Sequence, residues 1–343
     1  MKPIQELNIQ LEFPQTIVIT HHYNPDADAV GSSLALGHFF QKKGHKVYVI
    51  SPNSLPAFLH WMPGSSDILI YETNPDKCNQ AINEASILFA LDYNHFSRTK
   101  CMEQSLAACT AIKVMIDHHL FPDTSFDYGI SLPEKSSTCE MIYDYLLAIN
   151  GEVDIDQNIA KCLYAGTMTD TGSFKYSSTS SSTHRMIARL MDTGIVASKI
   201  HEAIFDNYEE NRLRFLGHVL SEKMILFPEF HAALIPICKE DLNRYNINSG
   251  DTEGIVNYPL SMRNIIFSTF ISERDNEIRM SFRSKGEMNV NEFARKWFSG
   301  GGHANAAGGK SILSLSDTID LFKKALNENE SQLKTCYEAS LLV

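Results

Sequence analysis

Nowhere do about 18 apolar residues run together, and the opening MKPIQELNIQLEF lacks the basic stretch and the unbroken apolar core of a secretory signal. No membrane span or export is therefore expected, and the expected location is the cytoplasm. The seven cysteines (78, 101, 109, 139, 162, 238, 336) are odd in number, and no two have C-x-x-C spacing, which argues against a disulfide framework and a zinc knuckle. They are expected to be reduced structural thiols. There is no Walker A loop, no internal repeat and no low-complexity tract. Positive charge is also scarce. With 30 Lys and Arg against 41 Asp and Glu, the net charge of -11 argues against coating long nucleic acid through a broad basic surface, yet leaves room for a small phosphorylated substrate.

What is present is globular material. Hydrophobic residues at 43% and charged residues at 21% are ordinary for a folded protein, and a length of 343 predicts about two domains with separate cores. In the first half, short apolar runs alternate with amphipathic stretches, the pattern of an α/β domain with a mainly parallel sheet and helices on both faces. QTIVIT at 15–20, KVYVIS at 46–51, DILIY at 67–71, SILFALD at 86–92 and AIKVMID at 111–117 predict a five-stranded sheet. Between them AVGSSLALGHFFQKK, closing at Gly44, and FSRTKCMEQSLAAC have helical spacing. After 135 the pattern turns helical, and 201–223 reads as a polar helix joining two lobes. FHAALIPI, NIIFSTFIS and EIRMSFRS then predict strands, and VNEFARKWF and SDTIDLFKKALNEN helices, of a smaller α+β domain. The expected division is a catalytic domain at 1–195, a helical linker at 196–225 and a substrate-binding domain at 226–343, with the catalytic cleft between the domains.

The acids and histidines fall at strand ends. Strand one runs into HHYNPDAD at 21–28, strand four ends on Asp92, and strand five ends on Asp117, His118 and His119. A later helix ends in GTMTDTGSF around Asp170. Ligands of an open parallel sheet bind beyond the carboxyl ends of its strands. Singly, each motif has a plain structural reading: NPDAD as a capped turn, Asp92 as a helix cap, DHH as a polar loop, Asp170 as a helix-end aspartate. Together, Asp26, Asp28, Asp92, Asp117 and Asp170 would concentrate negative charge that protonation or bound cations must relieve. Carboxylates and imidazoles without thiolate suit two Mn²⁺ or Mg²⁺ ions, with Zn²⁺, Co²⁺ and Fe²⁺ as alternatives. Two such ions roughly 3.5–4 Å apart activate a water for in-line attack on phosphorus.

HxNPDxD at 22–28, the strand-end Asp92, DHH at 117–119 and GTMTDTGSF around Asp170 occur in that order and resemble the motifs of the DHH phosphoesterase superfamily. SFRSKG at 281–286 and GGGHANAAGG at 300–309 resemble its accessory DHHA1 domain. The resemblance implies that His22 and Asp26 hold one metal, that Asp28, His118 and Asp170 hold the other, and that Asp92 bridges them. It also implies catalytic roles for Asp92, Asp117, His118 and His119, with Asp117 orienting ligands from behind and His119 turned to the substrate phosphate. His21 lacks the motif spacing and is expected to be structural.

From Arg263 to Lys310 the charge balance reverses, with eight bases against five acids, so an anion-binding surface is expected there. In GGGHANAAGG, residues without Cβ let backbone N–H groups close on an oxyanion, a flexible loop being the alternative. Gly301, Gly302, His303, Arg283 and His119 are the expected substrate-binding residues, the arginine gripping phosphate through two donors. The length and the absence of further segments resemble the nanoRNase/pAp phosphatase type. That resemblance implies a Mn²⁺-dependent hydrolase that degrades short RNA to mononucleotides and removes the 3′-phosphate of adenosine 3′,5′-bisphosphate (pAp). The competing readings are a soluble hydrolase of pApA, cyclic dinucleotides or polyphosphate, and a nucleotide-binding regulator without turnover, which retention of every ligand disfavours. Expected partners are short RNA and small nucleotides, not long duplex or membrane, and a homodimer is compatible with this reading. His184, His201, His218 and His231 have no acid at ligand spacing and are not expected to bind metal.

Overall fold

Apolar runs without polar alternation belong to strands covered on both faces. The computed structural model, which describes residues 1–7, 10–149, 151–248, 250–274 and 277–341, has such a sheet in the first of two compact units, 1–207 and 208–343. Its strands are β1 (Thr16–Thr20), β2 (Lys46–Ser51), β3 (Leu69–Ile70), β4 (Ile87–Leu91), β5 (Ile112–Asp117) and β6 (Tyr128–Ser131). They lie in the order β3-β2-β1-β4-β5-β6, every pair parallel. The sheet therefore has six strands where the sequence predicts five. β6 is four half-buried residues with no apolar run of its own, and it joins through its ladder to β5.

The period of two along each strand divides the core between two helical layers. Ile17, Ile19, Phe89, Leu91, Val114 and Ile116 face a layer built from α1 (Ala27–Lys42), α4 (Thr138–Ala148), α5 (Gln157–Asp170), α6 (Ser181–Asp192) and α7 (Ala197–Phe205). Val18, Leu88, Ala90 and Met115 face the opposite layer, which holds α2 (Pro75–Glu84) and α3 (Glu103–Ala108). α1 and α5 pack closely. A side chain on Gly166 would meet the Cα of Asp28 at 2.9 Å and the Ala27 carbonyl at 3.0 Å, so only glycine lets α5 pass beside the start of α1.

Residues 201–223 do not form the single joining helix that their composition predicts. α7 stops at Phe205, α8 (Glu210–His218) starts afresh behind an extended Glu209, and a π turn over Val219–Lys223 follows. The break falls at Asp206 and Asn207, residues of low helix propensity, with Asp206 as the C-cap of α7.

The second unit is built on a mixed sheet in the order β11-β12-β10-β9-β8-β7. Its strands are β7 (Ile225–Phe227), β8 (Ala232–Ile237), β9 (Phe267–Glu273), β10 (Ile278–Ser284), β11 (Gly301–Gly302) and β12 (Ala306–Ser311), and only β8 and β9 pair in parallel. Phe267 and Phe282 pack on one face with Phe293 of α10 (Val290–Trp297), Phe322 of α11 (Leu315–Glu328) and Leu333 of α12 (Glu330–Ser340). Ile235, Ile237 and Phe270 pack on the other face with Phe215 of α8 and Leu242. The glycine-rich segment at 300–309 is thus a hairpin, not a flexible loop. β12 pairs with β10, and added side chains at Gly300 and Gly302 would strike the backbone of Gly308 and Ala306.

Candidate metal centre

In the strand order of the first unit, the connections leave in opposite directions from β1 and β4, so the crevice of the sheet opens at their carboxyl ends. His22 is the second residue past β1, and Asp92 directly follows β4. Asp92 holds a left-handed backbone (φ 61) that aspartate tolerates better than most side chains, fixed by its N–H on the Ile116 carbonyl at 3.2 Å. α1 begins at the same edge with Asp26 as its N-cap, which accepts the Asp28 and Ala29 amides at 3.0 Å each.

Three groups of possible donors share Asp92. His22, Asp26 and Asp92 form one, Asp28, Asp92 and His118 a second, and Asp92, Asp117 and His119 a third, each with its ligand atoms within 4.8 Å of one another. His22 Nε2 lies 3.3 Å from Asp92 Oδ2 and 3.9 Å from Asp26 Oδ2. His118 Nε2 lies 3.5 Å from Asp92 Oδ1, 3.3 Å from Asp170 Oδ2 and 3.9 Å from Asp28 Oδ2. All the residues assigned to metal by resemblance are thus brought together within one unit. Their donors are oxygen and imidazole nitrogen. Cys139 gives the site its backbone N–H and not its sulfur, because burial and then the Asp28 charge hold its thiol far above the usual range.

Without cations such a cluster must keep protons. Burial, then the Asp92 charge, pushes the Asp28 carboxyl up to about 7. Asp170 rises well above the carboxylate range through burial and the Asp28 charge. Burial pulls the His118 imidazole down, but its bond to Asp92 and the charges of Asp170, Asp92 and Asp28 outweigh this and raise it well above normal. Asp92 moves the other way. Burial alone would raise it, yet hydrogen bonds from His118 and His22 hold it well below the usual value. A donor set of this charge and chemistry fits divalent cations.

The supporting shell departs from expectation. Asp117 does not orient His118. It accepts from His119 Nδ1 at 2.7 Å, while His118 Nδ1 meets the Lys135 carbonyl at 3.2 Å. Burial lowers the His119 imidazole despite Asp117, so the ring is held neutral with its proton on the Asp117 side. Sequence reasoning also missed the start of α4. The amides of Thr138 and Cys139 donate to Asp28 at 2.6 and 2.8 Å, and the Thr138 hydroxyl donates to Asp92 at 2.9 Å. Buried Glu140 braces that turn by accepting from Ser136, Lys135, Ser182 and Thr183. The S-x-x-E spacing at 137–140 was the available signal. His21 is fully buried, bonds to Ser33 at 3.1 Å, and is driven down to about 3 by burial and the His22 charge.

In the second unit, Arg283 pairs across the ladder with Ala306, Ser281 with Gly308 and Arg279 with Lys310, so three cations and three small residues share one face. His303 lies at the hairpin turn near Arg283. The amides of Gly302 and His303 are already donated to Asn291 Oδ1 at 3.0 Å and to the Ala306 carbonyl at 2.7 Å. The glycines therefore serve close strand packing. His218 has an acidic partner after all, Asp241 at 3.2 Å, which its sequence neighbourhood does not reveal. Among the described residues it belongs to no group of three possible ligands, and neither do His184, His201 and His231.

Residues 16–167 match the DHH family, N-terminal domain, and residues 231–332 match the DHHA1 domain. A solved structure of an exopolyphosphatase-related protein from Bacteroides fragilis is 39% identical, with a TM-score of 0.93 over 96% of this chain and 97% of that one. The chain belongs to the DHH family of phosphoesterases and carries a DHHA1 domain. The probable bifunctional oligoribonuclease and PAP phosphatase NrnA of Streptococcus mutans is 26% identical over 91% of this chain and 94% of its own. The bifunctional oligoribonuclease and PAP phosphatase NrnA of Thermus thermophilus is 27% identical over 90% of this chain and 87% of its own. Among the described residues, no helix is long and apolar enough to cross a membrane.

Proposed function

We propose that the chain is a divalent-metal-dependent phosphoesterase that degrades short oligoribonucleotides to mononucleotides and removes the 3′-phosphate of pAp, acting on small substrates in the cytoplasm. The observation that carries this is Asp92, one carboxylate shared by the donor group of His22 and Asp26 and the donor group of Asp28 and His118. His22 and Asp26 hold one ion and Asp28, His118 and Asp170 the other, with Asp92 common to both. Mn²⁺ suits this mixed oxygen and imidazole set, with Mg²⁺ and Co²⁺ as alternatives. Bound cations of this kind neutralise charge on the phosphoryl group and make water a nucleophile at neutral pH. Asp117 fixes the His119 ring through Nδ1, so that Nε2 is presented to the substrate and the imidazolium form is stabilised when a phosphate dianion draws it out. Arg283 and His303, with Gly301 and Gly302 shaping the hairpin beside them, grip the non-reacting phosphate.

A second reading, polyphosphate hydrolysis, draws on the description of the Bacteroides fragilis protein. One experiment separates the two. The purified protein with Mn²⁺ is offered RNA of two to five residues, longer RNA, pAp, pApA, cyclic dinucleotide, pyrophosphate and polyphosphate. Release of mononucleotide that fades with RNA length, together with release of phosphate from pAp, is expected. Turnover of polyphosphate with none of RNA or pAp would overturn the nucleotide reading.

A further inference from the structure

The turn that leads into α4, residues 135–140, reaches three of the metal-ligand candidates and the helix that carries a fourth. The Lys135 carbonyl accepts from His118 Nδ1 at 3.2 Å, which leaves Nε2 facing Asp170 and Asp28. Ser137, the N-cap of α4, bonds to Thr167 at 3.1 Å, one turn before Asp170 in α5. Thr138 and Cys139 give their amides to Asp28, and the Thr138 hydroxyl goes to Asp92. The ties of His22 and Asp26 lie elsewhere. His22 Nδ1 meets the Tyr23 carbonyl at 3.0 Å, and Asp26 caps α1.

Glu140 closes this turn from inside, only 1% exposed. Its Oε2 accepts the Ser136 amide at 3.2 Å, the Ser136 hydroxyl and the Thr183 hydroxyl, and its Oε1 accepts Lys135 Nζ at 3.2 Å and the Ser182 hydroxyl at 3.0 Å. Ser182 and Thr183 open α6, the helix that follows Asp170 in the chain, so one carboxylate fastens the turn to the next element. Burial pushes the Glu140 carboxyl up, yet the bonds from Ser136 and the Lys135 charge outweigh it and hold it below the usual carboxylate range. A buried anion is costly, and packing alone would be served as well by an apolar side chain. What the anion adds is a fixed geometry for the turn.

We propose that Glu140 is a positioning residue for one of the two metal ions, the one held by Asp28, His118 and Asp170. It acts through the turn, which aims those three ligands and leaves His22 and Asp26 alone. The inference rests on the two-metal reading above and assigns the second ion a support of its own.

The test is calorimetric titration of the metal-free intact chain with Mn²⁺. The wild type is expected to bind two ions. Glu140→Gln keeps the shape and removes the charge, and it is expected to weaken one ion about tenfold or more while the other stays within about twofold. Ser136→Ala, which deletes a single donor to Glu140, is expected to weaken the same ion less. Combined with Asp26→Asn, which weakens the other ion, Glu140→Gln is expected to leave no tight site. A merely structural glutamate would lower the melting temperature of the metal-free chain and change both affinities alike or neither. Either of those affinity patterns, or one tight ion retained in the double variant, would overturn the positioning role. Should Glu140→Gln fail to fold, Ser136→Ala decides by the same readout, and two unchanged affinities there would overturn the role. A wild type that binds fewer than two ions would instead overturn the two-metal reading, and the inference with it.

Discussion

Asp92 and Thr138 carry the sharpest consequences of the site at the scale of single residues. Asp92 belongs to the donor group of His22 and Asp26 and to that of Asp28 and His118, so Asp92→Ala is expected to reduce Mn²⁺ binding below two ions per chain and to abolish hydrolysis of every substrate. Calorimetric metal titration beside the activity panel checks this, and two retained ions would refute the sharing. Thr138→Val keeps the shape and removes only the hydroxyl that donates to Asp92 at 2.9 Å. The expected result is a loss of roughly tenfold in metal affinity or activity, with the melting temperature nearly unchanged. The six ligand candidates were legible because each stands at a strand or helix end in a recognisable motif. Their orienting partners were not. A tie such as His118 to the carbonyl of Lys135 uses a backbone atom that every residue has, so no side-chain pattern marks it.

The close passage of α5 beside α1 sets the distance between Asp170 and Asp28 at the scale of elements. Gly166→Ala places a methyl group against the Asp28 backbone, and the expected cost is about 1–3 kcal/mol of stability, read by denaturant unfolding, together with weaker metal binding. Accommodation with no change in either would show that the helices slide apart freely. In the second unit, Asp241 in α9 (Lys239–Arg244) is only 9% exposed through its side chain and is held down to about 2. Burial opposes that shift, and bonds from Cys238, Lys223 and His218 outweigh it. A folded value below the unfolded one means the stabilisation is complete above pH ~4 and is lost as pH falls toward 2, with a magnitude of about 2 kcal/mol. Unfolding of Asp241→Asn followed from pH 6 to pH 2 is expected to lack this component. Elements with a strict period were legible, as the buried strands of the first sheet are. β6 and the glycine hairpin were not, because both take strand geometry from a neighbouring ladder and not from their own hydrophobicity.

Charge and metal linkage meet at the scale of the whole molecule. All six metal-ligand candidates lie within residues 22–170, inside the first unit, which has a core of its own. A fragment of residues 1–207 is therefore expected to fold and to bind Mn²⁺, while its KM for pAp rises because Arg283 and His303 are gone. Failure of the fragment to bind metal would place an essential ligand in the second unit. In the intact chain, ions that bind only the folded state stabilise it, by about 2.7 kcal/mol at a hundredfold excess over Kd. Chelation is expected to lower the melting temperature, and adding Mn²⁺ back is expected to restore it. A net charge of -11 predicts weak binding of long duplex at physiological salt, which a filter-binding series against pAp-sized competitors would test.

By itself the sequence determined the two classes of sheet, the strands with a clear period, and the chemical types gathered at the crevice. Those are local properties, carried by period-two burial, by helix spacing and by acids placed directly after strands. Only the tertiary structure decided how the site is braced: Asp117 on His119 and the start of α4 on Asp28 and Asp92. These contacts join residues 2, 110 and 46 positions apart. The first pair is near in sequence, yet either histidine of the triplet was open to Asp117 until the backbone fixed which ring it could reach. The others are long-range pairings, which no local pattern specifies and which exist only once the layers have packed.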